Sequence, residues 1–292
     1  MPASIVNVCG SVWPGEAVAV DVTTAGLVVP AVDARRYLNS ETPANQLAVP
    51  TRWSVTTRGF DRPGSGTLGG MRCALVHSPL VGPSTWRPVA EVLAALGHEV
   101  SLPDLRAAAQ SGDPHMFISA AQAVVSVDTD VIAGHSGAGF FLPSIAAITV
   151  KPAQLMFVDA GIPPEAGWAT PGGDFIDQLR TLSTGGILPL WSKWWGEGVM
   201  ERLVPDRHLR AEIEAELVEV PLGFYENLVN LPARWRQAPA RFLLLSESYR
   251  AEAVTALSLG WPTAELRGAH LDLANQPDTI AQSILELYAV NG

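Results

Sequence analysis

Lysine is almost missing from this chain. Lys151 and Lys193 stand against 29 acidic residues, arginine supplies the rest of the 19 basic ones, and the formal net charge is −10. Such a balance repels phosphate backbones and acidic lipid surfaces, so it argues against nucleic-acid and membrane-surface partners. Cysteine is scarce as well. Cys9 and Cys73 lie far apart with no C-x-x-C or Cys/His spacing, which fits a reduced, cytoplasmic protein better than a disulfide framework and implies no zinc site. No basic residue precedes Arg35, and Pro14, Gly15 and Glu16 break the first apolar stretch, so the charged-then-apolar pattern of a signal peptide is lacking. The run 131–150 is apolar enough to resemble a membrane span. His135, Ser136, three glycines and Pro143 within it instead indicate a buried strand followed by a helix. With 48% apolar and 16% charged residues over 292 positions, disorder of the whole chain is excluded and a well-packed globular protein is expected.

Residues 1–70 differ from the remainder of the chain. They are rich in proline and glycine and balance Glu16, Asp21, Asp33, Glu41 and Asp61 against Arg35, Arg36, Arg52, Arg58 and Arg62, so the negative excess belongs to 71–292. Short β-like runs at 18–22 and 27–32 occur without sustained helical periodicity, and 61–70 (DRPGSGTLGG) reads as a linker. This sets 1–70 apart as an N-terminal extension outside the core, either upstream of a natural start at Met71 or a small accessory β element.

From Met71 onward strand-like and helix-like segments alternate, the order that builds an α/β fold with a mostly parallel sheet covered on both faces. Six strands are expected, near 73–77, 98–103, 130–133, 155–158, 241–245 and 263–266. Ser84 is placed to cap a helix whose apolar face is Trp86, Val89, Val92, Leu93 and Leu96, with Gly97 as its stop. Asp113 and Pro114 open a second helix, to about Val127, and Pro277 and Asp278 open the last, which carries Ile280, Ile284, Leu285 and Tyr288. Between Pro163 and Pro239 the strand pattern pauses and the sequence turns mostly helical. Trp191, Trp194 and Trp195 lie in this cap insertion, placed to roof the sheet edge and line a pocket for an apolar substrate part.

The hexapeptide Gly134-His135-Ser136-Gly137-Ala138-Gly139 comes directly after the apolar run Val131-Ile132-Ala133 and precedes a helix-compatible stretch. A serine is thereby set at a tight strand-to-helix corner, the geometry of a nucleophile elbow, where small neighbours are needed because the turn tolerates little bulk. Ala138 stands where the G-x-S-x-G form has its second glycine. A serine nucleophile needs a base in reach and an acid to orient the base, and on α/β sheets the acid and then the histidine come after the serine in sequence. His270, in Leu266-Arg267-Gly268-Ala269-His270-Leu271, fits that order because it lies between the final strand and the last helix. His77, His98, His115, His135 and His208 read as structural.

Over 71–292 the sequence resembles the α/β-hydrolase superfamily, and within it the compact branch of hydroxynitrile lyases and plant methyl-ester esterases. The resemblance rests on His77-Ser78-Pro79-Leu80-Val81-Gly82-Pro83-Ser84-Thr85-Trp86, the elbow, Asp159-Ala160-Gly161-Ile162-Pro163 and Gly268-Ala269-His270. It implies Ser136 as nucleophile, His270 as general base and the Gly137 amide as one oxyanion donor, with no cofactor and no metal. The acid is Glu247, after the penultimate strand, or alternatively Asp159, after the preceding one; an ungapped match puts the usual aspartate nearer Tyr249. Where the family usually reads His-Gly-x and residue x donates its N–H to the oxyanion, this chain has Pro79, which has none. Leu80 N–H or the Ser78 side chain is the substitute. The resemblance implies an esterase-type hydrolase for a small or medium uncharged ester, lactone or amide. A non-catalytic ligand-binding protein and a hydroxynitrile-type lyase stand as alternatives, the latter opposed by Leu271 where the similar lyases carry a lysine. The expected partner is a small molecule with an apolar part, and the oligomeric state is not fixed by the sequence.

Overall fold

The structure, a computed structural model, describes residues 70–290. The extension expected for 1–70 therefore lies, Gly70 apart, outside the described residues. The first four strands are β1 (Arg72–Val76), β2 (Glu99–Ser101), β3 (Val131–Ser136) and β4 (Gln154–Ala160). In the insertion come β5 (Gly167–Ala169), β6 (Ile187–Leu188), β7 (Val220–Pro221) and β8 (Val229–Leu231), and the chain closes with β9 (Ala240–Leu244) and β10 (Thr263–Glu265). Six of these form one sheet in the order β10-β9-β4-β3-β1-β2, and every pairing in it is parallel. The interior strands read as continuous apolar runs because both faces are covered; all seven residues of β4 and all five of β9 are buried. The short edge strands β2 and β10 are the wetter ones.

From β1 the chain crosses to the β2 edge and returns to β3 on the other side. The gap between β1 and β3 is therefore a topological switch point, and the carboxyl ends of these strands form the crevice where open α/β sheets place their ligands. Both His77 and Ser136 stand at that edge, the first directly after β1 and the second closing β3.

Helices begin where the sequence offers caps and prolines, with local departures. Ser84, expected as a cap, lies inside a turn of 3-10 helix (Pro83–Thr85) ahead of the α-helix Arg87–Ala95, which has Trp86 at its N-cap and no side-chain cap; Trp86 and Leu93 are fully buried, whereas Leu96 is outside the packed face. Asp113 caps the helix Pro114–Gln122 by accepting the His115 N–H at 2.9 Å, and this helix stops well short of Val127. In the last helix, Pro277–Ala289, the buried residue of the final turn is Leu287, and Tyr288 faces outward. The run 131–150 folds as β3, a 3-10 turn (Gly137–Phe141) and a short helix (Leu142–Ala146), and among the described residues no helix is long and apolar enough to cross a membrane.

The insertion, expected to be mostly helical, carries short helices together with four short strands. β5 pairs antiparallel with β8 and β6 with β7, because alternating segments such as Val220-Pro221 and Val229-Asn230-Leu231 are too short to show a period yet close ladders once brought together. Phe224 ties the insertion to the core by packing against Phe117 and Phe141 at centroid distances of 5.7 and 5.6 Å. All three rings are fully buried, and burying a side chain of this size contributes about 1.5–3 kcal/mol.

Candidate active site

Ser136 ends β3 with φ 58° and ψ −128°. A serine in this region costs about 1–3 kcal/mol, and the surrounding glycines make the corner possible. A Cβ on Gly134 would come within 2.7 Å of the Leu142 side chain, and one on Gly139 would collide with the Gly161 carbonyl. Ala138 is fully buried and its methyl group is accommodated, so the departure from the five-residue motif leaves the turn intact.

The partner strand is distorted at the same point. His135 pairs with Val158 and Ser136 with Ala160, which leaves Asp159 as an extra residue on β4 with φ 44°. Bulges of this kind re-aim a side chain. Among the described residues Ser136, Asp159 and Arg234 are the non-glycine residues with positive φ, and two of them lie side by side here.

The re-aimed carboxylate is fully buried and saturated with donors. Oδ1 accepts the N–H groups of Leu245 and Ser246, each at 2.9 Å, and Oδ2 accepts the Ser246 hydroxyl at 2.6 Å. Oδ2 also meets His270 Nδ1 at 2.7 Å. With Nδ1–H donated to Asp159, the His270 lone pair is on Nε2, the tautomer a general base requires. Asp159, not Glu247, is thus the carboxylate on His270. Glu247 forms a surface ion pair with Arg250 (Oε1 to Nη2, 2.5 Å) with 81% of its side chain exposed. The expectation for Glu247 fails because the loop after β9, where the sequence match looked for the acid, uses its backbone and Ser246 to hold a carboxylate from the neighbouring strand.

His270 is 6% exposed and is held on several sides. Its carbonyl oxygen accepts from His135 Nε2 at 2.9 Å, and the two imidazoles lie 4.3 Å apart. Burial, with His270 beside it, keeps His135 neutral far below its ordinary range. The Tyr249 ring stacks on His270 at 5.2 Å and an interplanar angle of 9°, and its hydroxyl reaches Ser136 Oγ at 3.1 Å. Trp191 approaches the imidazole from the insertion at 6.3 Å. Trp195 packs on Trp191, and Trp194 packs on Trp195 while donating its indole N–H to the Pro189 carbonyl. Of the three tryptophans, Trp191 is the one whose ring contact with His270 puts it at the site.

The loop after β1 completes the crevice. His77 donates from Nδ1 to the Ser78 carbonyl at 2.8 Å and accepts the Leu105 N–H on Nε2 at 2.9 Å; burial lowers its basicity, so it is a neutral strut. Glu216, from the insertion, pins the same loop by accepting Ser84 N–H at 2.6 Å and pairing with Arg87 at 2.9 Å. Pro79 and Ser78 lie against Gly137: Pro79 Cδ and Ser78 Oγ are 3.4 and 3.5 Å from where a Gly137 Cβ would be. Leu80 is buried, and its carbonyl accepts from Val218 in the insertion. Tyr249, Ser246 and Glu216 were given no role in the sequence, whereas His135, read there as structural, is the buried support of His270. Only Ser246 and Tyr249 had a signal, their place directly after the penultimate strand.

A parallel sheet with a sharp serine turn at its switch point, a histidine after the last strand and a buried carboxylate on it define an α/β-hydrolase fold. No protein-family model matches the chain, and no curated protein does. Solved structures do. An extracellular α/β-hydrolase from a Paenibacillus species superposes with a TM-score of 0.60 at 16% identity, over 74% of this chain and 98% of the other. Polyneuridine aldehyde esterase gives 0.57 at 14% over 75% and 99%, and the methylesterase protein MES16 from Arabidopsis gives 0.53 at 14% over 74% and 98%.

Proposed function

We propose that this protein is a serine hydrolase that cleaves a small or medium uncharged ester, lactone or amide through an acyl-enzyme on Ser136. The observation that carries this reading is the paired distortion of β3 and β4, which brings the Ser136 corner and the Asp159–His270 pair to one sheet edge. Ser136 Oγ attacks the carbonyl carbon while its proton passes to His270 Nε2, and the proton then goes to the leaving group. Asp159 orients the imidazole and stabilises its protonated form. Gly137 N–H is an oxyanion donor, and Leu80 N–H is the nearest backbone successor to the one Pro79 lacks. Trp191, with Trp195 and Trp194 behind it, supports an apolar part in the substrate.

One observation favours a second reading. Pro79 removes a backbone donor beside Gly137, as would be tolerated in a ligand-binding protein that no longer performs acyl transfer. Hydrolysis of nitrophenyl esters of increasing acyl length by wild type and Ser136→Ala separates the two. The hydrolase reading expects turnover that Ser136→Ala abolishes; equal background rates in both proteins support the binding reading.

A further inference from the structure

We propose that the Tyr249 hydroxyl is a catalytic donor of this site, standing in for the amide hydrogen that Pro79 cannot supply. This rests on the serine-hydrolase reading above. The hydroxyl lies 3.1 Å from Ser136 Oγ, the atom that reacts. Its ring is clamped parallel to His270 at 5.2 Å, so the donor is held in place before substrate arrives, which is what makes such a group effective. The acid comes from Asp159, so the loop after β9 need not supply it. The loop after β9 gives Ser246 to the carboxylate, and Tyr249, three residues on, is turned to the serine.

During attack the Ser136 proton moves to His270 Nε2, a bond forms between Oγ and the acyl carbon, and the carbonyl π pair moves onto its oxygen. The lone pair of Oγ that enters the new bond is no longer available to the phenol O–H, whichever of the two hydroxyls donated at rest. The phenol keeps its proton and redirects it to the oxygen that has gained charge, one bond further from Oγ. When the imidazole becomes charged, the stacked ring face also favours it.

Tyr249→Phe keeps the ring on His270 and deletes the donor. Removing one oxyanion donor costs about 10²–10³ in turnover; with Gly137 N–H and Leu80 N–H remaining, kcat on a nitrophenyl ester should fall about 10- to 100-fold with KM within about twofold. Phosphonylation of Ser136 by a fluorophosphonate should slow in parallel, and Pro79→Ala added to Tyr249→Phe should recover about tenfold of the lost rate by restoring a backbone N–H. A conservative change at a half-buried ring is expected to shift the melting temperature by only a few degrees, which thermal unfolding checks. Wild type and a well-folded Tyr249→Phe reacting at the same rate would overturn the assignment alone. A wild type whose Ser136 is neither labelled nor acylated would overturn the hydrolase reading and this assignment with it.

Discussion

Asp159 decides how the candidate site is read. It is fully buried, accepts four hydrogen bonds and carries His270 on one of them, whereas Glu247 is paired with Arg250 in solvent. A histidine that loses its charged orienter is left in the wrong tautomer, at a cost of up to about 10⁴ in turnover. Asp159→Asn should therefore lower kcat by about 10²–10⁴, and Glu247→Gln should change it by less than about twofold, because an exposed ion pair contributes little. Steady-state kinetics of the two variants on one ester make the comparison. A damaging Glu247→Gln beside a mild Asp159→Asn would reverse the assignment. The serine, the histidine and the two candidate acids were all legible as residue types in order along the chain. Choosing between the acids was not, because the choice depends on a one-residue bulge that lets β4 present Asp159, and bulges of this kind leave no period in a sequence.

At the level of elements, legibility tracked length and regularity. The four interior strands were readable to within a few residues because buried parallel strands are unbroken apolar runs, the short, half-exposed edge strands β2 and β10 were found without that signal, and the helix starts at Pro114 and Pro277 were readable from Asp-Pro and Pro-Asp signals. Helix ends were less so. The helix from Pro114 stops at Gln122 although the sequence stays apolar beyond it; of the valines that follow, Val124 and Val127 are exposed and Val125 alone is buried. The cap strands β5 to β8 were invisible for the opposite reason. They are two or three residues long, and they exist because the insertion folds back on itself, a tertiary cause. The same cause hid Glu216, which holds the loop after β1 from 132 residues away.

For the molecule as a whole, the buried histidines set a pH limit. His77 and His135 are neutral in the fold because burial lowers their proton affinity, while in the unfolded chain they titrate near the ordinary value of about 6.5. Below that value the unfolded state binds protons that the folded state refuses, so stability present above about pH 7 should be lost as pH falls, by up to about 1.4 kcal/mol per pH unit for each histidine. Glu252 acts in the opposite sense, since burial raises its carboxyl above the usual range and protonation relieves it. It reduces the net slope wherever its raised range overlaps that of the histidines. Urea midpoints at pH 7.5, 6.5 and 5.5 measure it, and a midpoint independent of pH would contradict the two neutral buried imidazoles.

All of this chemistry depends on the fold presenting Ser136 as an activated nucleophile. Treating the folded full-length protein with a fluorophosphonate and mapping the adduct by peptide mass spectrometry puts that to the test. A single adduct is expected on the peptide containing Ser136, formed at least about 100-fold more slowly in His270→Ala because the base that removes the hydroxyl proton is gone. An unlabelled Ser136 in folded protein, alongside a control hydrolase that reacts, would refute it.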